Sequence, residues 1–176
     1  MVVRGRAASN AVLKGFTLIE LMIVVAIVAV LLTVAVPSFV SMIQSNRVAG
    51  EVSSLENDLQ FARANAIQRG QSVSVCISSS GTTCTAAGSD WGAGWIVVDS
   101  AGNLLRKRAA WMSGDTFVAT PTLSTLTYNG DGFAPSATGY LISLHTSAVN
   151  NNATKCIALN PVGRVTVQSY GTGSCS

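Results

Sequence analysis

Lys14-Gly15-Phe16-Thr17-Leu18-Ile19-Glu20 stands immediately before Leu21 to Val36, a stretch broken only by Thr33. It places one acidic residue, Glu20, at the mouth of a long apolar run. From Leu18 to Val36 the run is nineteen residues, roughly 28 Å of helix at about 1.5 Å per residue, enough to cross a bilayer once. A carboxylate carried into hydrocarbon costs on the order of 2.5–3.5 kcal/mol even on lenient scales. Such a charge calls for a positive partner.

The bulk composition supports a single membrane segment attached to a polar domain. Charged residues make up 11% of the 176, against a usual value of about 25%. Ser, Thr, Asn and Gly are abundant outside the apolar run, which excludes a multi-span membrane protein. The formal charge of +3 is misleading. Arg4, Arg6 and Lys14 precede Phe16, leaving eight basic against eight acidic residues in the remainder. The basic pI therefore gives no argument for nucleic-acid binding. The three early cations read instead as a positive-inside signal, with the N-terminus cytoplasmic and the rest exported.

Residues 1–15 form a short basic leader ending in Gly. In an ordinary secretory signal the apolar core precedes the cut. Here it follows the candidate cut between Gly15 and Phe16, so cleavage would leave the membrane segment on the mature chain. The alternative is an uncleaved anchor with a basic flank. Pro37 closes the run, lacks a backbone donor and is expected to kink or loosen the helix. Pro37 reads either as a site where the helix melts or as a static kink at the exit from the bilayer.

The helical pattern then resumes. Val48, Val52, Leu55, Leu59, Ala62 and Ala66 recur at spacings of three and four, a stripe for packing on a partner surface. Arg47, Glu51, Glu56, Asp58, Arg63 and Arg69 are read as lying mostly off it. Gly70 is the expected stop. Beyond it the pattern changes to period two, with strands expected at residues 72–77, 95–99, 104–111, 117–118, 125–128, 140–144, 156–159 and 164–167. The expectation is a sheet of about five to seven antiparallel strands packed on the helix stripe: an α+β chain with a long N-terminal α-helix and a C-terminal antiparallel β-sheet domain. The boundaries read as 1–15 leader, 16–37 transmembrane helix, 38–70 amphipathic helix and 71–176 β domain.

Cys76, Cys84, Cys156 and Cys175 all lie on the side expected to be exported, where an even count favours disulfides. Three pairings are possible. Cys76–Cys84 and Cys156–Cys175 are favoured because each brackets a turn-rich stretch. No CxxC occurs and the single His145 lies far from a ligand pattern, so no metal and no cofactor is expected. No nucleophile, acid or phosphate loop stands at a recognisable spacing, which argues against an enzyme. Trp91, Trp95 and Trp111 read as core or subunit-contact aromatics.

Gly15-Phe16-Thr17-Leu18-Ile19-Glu20, the basic leader, the apolar helix and Pro37 resemble the class III signal of type IV pilins and type II secretion pseudopilins. Leu59 to Ile67, Trp91 to Asp99 and Asn160 to Val165 resemble the minor-pilin branch of FimT/FimU and pseudopilin H. The resemblance implies a prepilin peptidase that cuts between Gly15 and Phe16 and methylates the amine of Phe16. It implies that Glu20 helps filament assembly by meeting the N-terminus of a neighbour. It also implies a single-pass inner-membrane protein with a periplasmic C-terminal domain. The implied partners are other minor pilins or pseudopilins, the major pilin, the inner-membrane assembly platform and membrane lipid. Some members of this branch bind DNA through a Gly-Arg-x-Arg element. Here Gly163-Arg164-Val165-Thr166 lacks the second Arg, leaving Arg164 and Lys155 as candidate DNA contacts and Arg106-Lys107-Arg108 as a second basic feature. The chain is thus expected to be a minor pilin that primes a type IV pilus, with a secretion pseudopilin and a DNA-uptake subunit as alternatives.

Overall fold

The computed structural model describes residues 15–111, 114–147 and 150–175. Most of the expected leader lies outside them. The chain divides into two compact units, one ending at Phe39 and one running from Val40. A single helix, α1 (Leu18–Arg69), contributes to both and continues through Pro37 without a break in its helical assignment.

In the first unit the helix is apolar all round. Leu18, Ile19, Leu21, Met22 and Ile23 through Val36 expose their side chains, and the most apolar stretch has a mean hydropathy of 3.0. A surface of this kind needs lipid or other chains to cover it.

In the second unit the helix is one-sided. Val48, Val52, Leu55, Leu59, Ala62 and Ala66 are all buried, the six positions that the three-and-four spacing selects. The helix ends as its glycine requires. Gly70 takes φ +63°, its N–H donates to the Ile67 carbonyl at 3.4 Å, and Gln71 N–H donates to Ala66 at 3.2 Å. This doubly bonded C-terminus needs a left-handed residue just past the last turn.

Eight strands follow: β1 (Val73–Ile77), β2 (Gly94–Asp99), β3 (Leu104–Ala109), β4 (Thr116–Thr120), β5 (Thr125–Tyr128), β6 (Leu141–His145), β7 (Lys155–Leu159) and β8 (Val165–Ser169). A 3-10 turn, Trp91–Ala93, leads into β2. Each expected strand is present, but they do not make one sheet. They form two antiparallel four-stranded sheets, ordered β3-β2-β1-β5 and β4-β6-β7-β8. After β3 the chain crosses to the second sheet for β4, returns for β5, and crosses again for β6. The Thr120–Pro121 peptide between β4 and β5 is cis. The single-sheet expectation fails because β5 pairs with β1, some fifty residues away, and strand period carries no information on non-local partners.

The core joins the helix stripe to inward residues of both sheets, including Val75, Val97, Leu126, Ile142 and Ile157. Trp91 and Trp95 are fully buried. Trp111 is half-buried, stacks on Phe117 at 5.2 Å and meets Trp95 edge-on at 5.4 Å. Cys76–Cys84 and Cys156–Cys175 are disulfide-bonded, with Cα separations of 5.5 and 5.6 Å. They staple the loop after β1 and the C-terminal tail after β8.

Candidate assembly site

The helix begins with a capping arrangement. Thr17 stands just outside α1, and its Oγ1 accepts from the Glu20 N–H at 3.2 Å. Its carbonyl accepts from Leu21 N–H, also at 3.2 Å. Thr17-Leu18-Ile19-Glu20 has the Thr-x-x-Glu spacing of a capping box, which places the carboxylate in the first turn, at the positive end of the helix dipole. The Thr-x-x-Glu spacing is itself a sequence signal for this second use of Glu20, beside its membrane cost. Gly15 and Phe16 precede the helix, and both are exposed. The bond between them therefore lies in non-helical, accessible backbone, one turn from Glu20.

A second group of polar contacts locks the amphipathic part of α1 to its own β domain. Arg47 makes a two-pronged ion pair with Asp115, Nε to Oδ2 and Nη2 to Oδ1, each at 2.8 Å. Ser147 N–H adds a third bond to Asp115 at 3.0 Å. Asn150 Nδ2 donates to Gln44 Oε1 at 2.9 Å and to Ser41 Oγ at 3.3 Å. Near the other end, Arg63 donates to the carbonyls of Gly132 and Val162, each at 3.0 Å.

Between these clamps sits Asp58, whose side chain is fully buried. Trp95 Nε1–H donates to its Oδ2 at 3.0 Å, Arg108 Nε to the same oxygen at 3.1 Å, and Arg106 Nη1 to Oδ1 at 3.0 Å. Arg106 also lies over the Phe61 ring at 3.7 Å. The reading of Asp58 as off the stripe is thus corrected. It stands three residues after Leu55 and four before Ala62, on the buried face, and it survives there because three donors surround the carboxylate. The spacing could have revealed it. The three donors could not be foreseen.

The candidate DNA contacts are not brought together. Lys155 opens β7 and its Nζ donates to Ser169 Oγ at 2.7 Å. Arg164 precedes β8, where its N–H donates to Asn160 Oδ1 at 3.0 Å. It lines a groove of about 360 Å³ with Gln60, Arg63 and Ile67. Lys155 pairs with Ser169 at one end of the β7–β8 ladder, while Leu159 pairs with Val165 at the other. Arg164 lies one residue further, opposite Asn160, so at about 3.4 Å per residue the two cations are roughly 17 Å apart along the strands.

The family model described as Type II transport protein GspH matches residues 51–163. The chain belongs to the GspH family. A second model, the prokaryotic N-terminal methylation motif, matches residues 14–36, the stretch that holds Gly15, Phe16, Glu20 and the apolar helix. Two crystal structures of the type IV minor pilin FimU from Pseudomonas aeruginosa (strain PAO1) share the fold of this GspH-family chain. Both are 19% identical to it over 70% of its length. One match covers 89% of FimU at a TM-score of 0.57, the other 91% at 0.53. The two family models and the shared fold place the chain in the minor pilin and pseudopilin group. Its methylation motif and apolar helix fit an inner-membrane-anchored protein that enters a filament.

Proposed function

We propose that this chain is a minor pilin that helps prime assembly of a type IV pilus and joins the complex at the filament tip. The observation that carries the reading is the position of Glu20, an exposed carboxylate in the first turn of α1, ahead of its apolar run and one turn after Phe16. Prepilin peptidase would cut between Gly15 and Phe16 and methylate the new amine. Cleavage removes Arg4, Arg6 and Lys14 and creates one cation at Phe16. In the membrane Glu20 then has no leader cation to meet. In a filament the Phe16 amine of a neighbour supplies one, and an ion pair buried among apolar helices is lost only at a cost of about 3–5 kcal/mol. Assembly is thereby favoured over storage in the bilayer. Residues 16–37 would form the membrane and filament-core part, 38–70 the amphipathic helix, and 71–176 the periplasmic domain.

A second reading, a minor pseudopilin of a type II secretion system, is favoured by the description of the matched family model. A DNA-uptake role gains no support from Lys155 and Arg164, which stand at opposite ends of one strand pair. Replacing Glu20 by Ala tests the assembly role. The variant should remain in the membrane at normal level and be absent from sheared filaments, and normal incorporation would overturn the reading. Deletion of the chain should abolish twitching motility if it serves a pilus. Loss of exoprotein release with motility intact would select the secretion system.

A further inference from the structure

The basic run Arg106-Lys107-Arg108 plays no part in the assembly reading, yet its placement is specific. It lies on β3, the outermost strand of its sheet. β2 covers one edge of β3, and no strand among the described residues pairs with the other. The direction of its backbone groups follows from the ladder. Ser78 N–H donates to the Gly94 carbonyl at 2.9 Å, which continues the β1–β2 register. Gly94 and, two residues on, Ile96 therefore turn their backbone polar groups toward β1. Trp95 and Val97 turn theirs toward β3, opposite Arg108 and Arg106. Arg106 and Arg108 thus spend their backbone groups on β2. The N–H and C=O of Lys107 and Ala109 point out of the sheet, free to pair with another strand.

The side chains add charge to that open edge. Arg106 and Arg108 share a single carboxylate, Asp58, and remain 44% and 46% exposed. Each guanidinium carries five N–H donors, and each spends one on Asp58. On the opposite face the stem of Lys107 passes over Gly81. There it borders a groove of about 380 Å³ shared with Ser78, Ser79 and Ser80. No ion pair among the described residues engages Lys107. Three cations on one edge are thus balanced by one buried carboxylate.

We propose that the outer edge of β3 receives an extended, carboxylate-bearing segment of a neighbouring protein chain, added as a fifth strand of that sheet. Lysine and arginine on an exposed edge keep neutral strands from pairing there. The same charges admit a strand with acidic side chains. Main-chain bonds to Lys107 and Ala109 would supply affinity, and alternate carboxylates facing Arg106 and Arg108 on one side and Lys107 on the other would supply selection. The Asp58 bonds and the Phe61 ring hold the guanidiniums in place beforehand. A nucleic acid could meet the cations, but it has no strand edge to satisfy the outward amides. This inference does not depend on Glu20 acting in assembly.

The test uses the full-length chain in the cells that natively make it, with benzoylphenylalanine at Leu104, the exposed first residue of β3. Photocrosslinked peptides are identified by mass spectrometry, and Val167 on β8 serves as the control position. The expected result is an adduct at Leu104, absent at Val167, to a segment with carboxylates at alternate positions. Lys107→Glu should lower its yield at least about tenfold through like-charge repulsion. Ala109→Pro, which keeps all three cations and removes one outward N–H, should do the same without breaking the ladder. If the proline variant does not accumulate, Lys107→Glu decides alone. Failure to obtain an adduct, an adduct to nucleic acid, lipid or a neutral or basic segment, or one that survives Lys107→Glu would overturn the proposal.

Discussion

Asp58→Ala removes a carboxylate that has no contact with water and three donors around it. The largest loss is at Trp95, which is fully buried. Its indole N–H would have no acceptor, at a cost of about 1–3 kcal/mol. The two arginines are nearly half exposed and can turn to water, so each lost ion pair is worth no more than about 1 kcal/mol. Alanine returns roughly 0.5 kcal/mol through its better helix propensity. The net expectation is a loss of about 1–4 kcal/mol, or roughly 10 °C in unfolding temperature at the upper end for a domain of this size. Thermal unfolding of the full chain in detergent, followed by near-UV circular dichroism of the buried tryptophans, measures it. A double-mutant cycle with Trp95→Phe isolates the central bond, and its coupling should be about 1–2 kcal/mol. A loss below about 1 kcal/mol, or no coupling, would refute the claim that Asp58 is held by its donors.

Three further outcomes follow from the same domain. Replacing Cys156 and Cys175 by Ser opens a loop with a sequence separation of 19. It should cost about 3 kcal/mol in the loop-entropy account, read as a lower denaturant midpoint than that of the oxidised parent. Gly163 has φ +77°, and a Cβ there would collide with the Gly132 carbonyl oxygen. Gly163→Ala should therefore destabilise by more than about 2 kcal/mol in the same denaturant titration. Tyr128 is buried, and the loss of water around its phenolate pushes its pKa up to about 12, slightly offset by the nearby Arg63 cation. The neutral phenol is the form the fold accepts. Stability should thus be full below pH 10 and fall by about 3 kcal/mol as pH rises from 10 to 12. Unfolding curves across that range check it, and Tyr128→Phe should flatten the fall.

Much of this molecule is local information. The run from Leu18 to Val36 needs no partner to be apolar, so its helix could be read directly from composition and length. The Val48-to-Ala66 stripe follows from 3.6-residue geometry, and Gly70 ends the helix because only glycine adopts the left-handed cap without strain. The β segments were marked by short apolar or alternating runs set between turn residues. The Gly15–Phe16 bond and the acid at Glu20 lie within about one turn of chain, and that proximity is fixed by sequence distance alone.

What the sequence did not decide is which distant groups meet. The pairing of β5 with β1 depends on contacts across about fifty residues, and the division of eight strands into two sheets on that of β4 with β6 across more than twenty, for which local pattern has no signal. Asp58 reads in the sequence as lying off the apolar stripe, whereas the fold surrounds it with Trp95, Arg106 and Arg108. Arg47 likewise found Asp115, sixty-eight positions away. The physical reason is common to all of these. Backbone propensity and hydrophobic periodicity act over one or two turns, whereas the cost of burying a charge is settled by whatever donors the completed fold delivers to it.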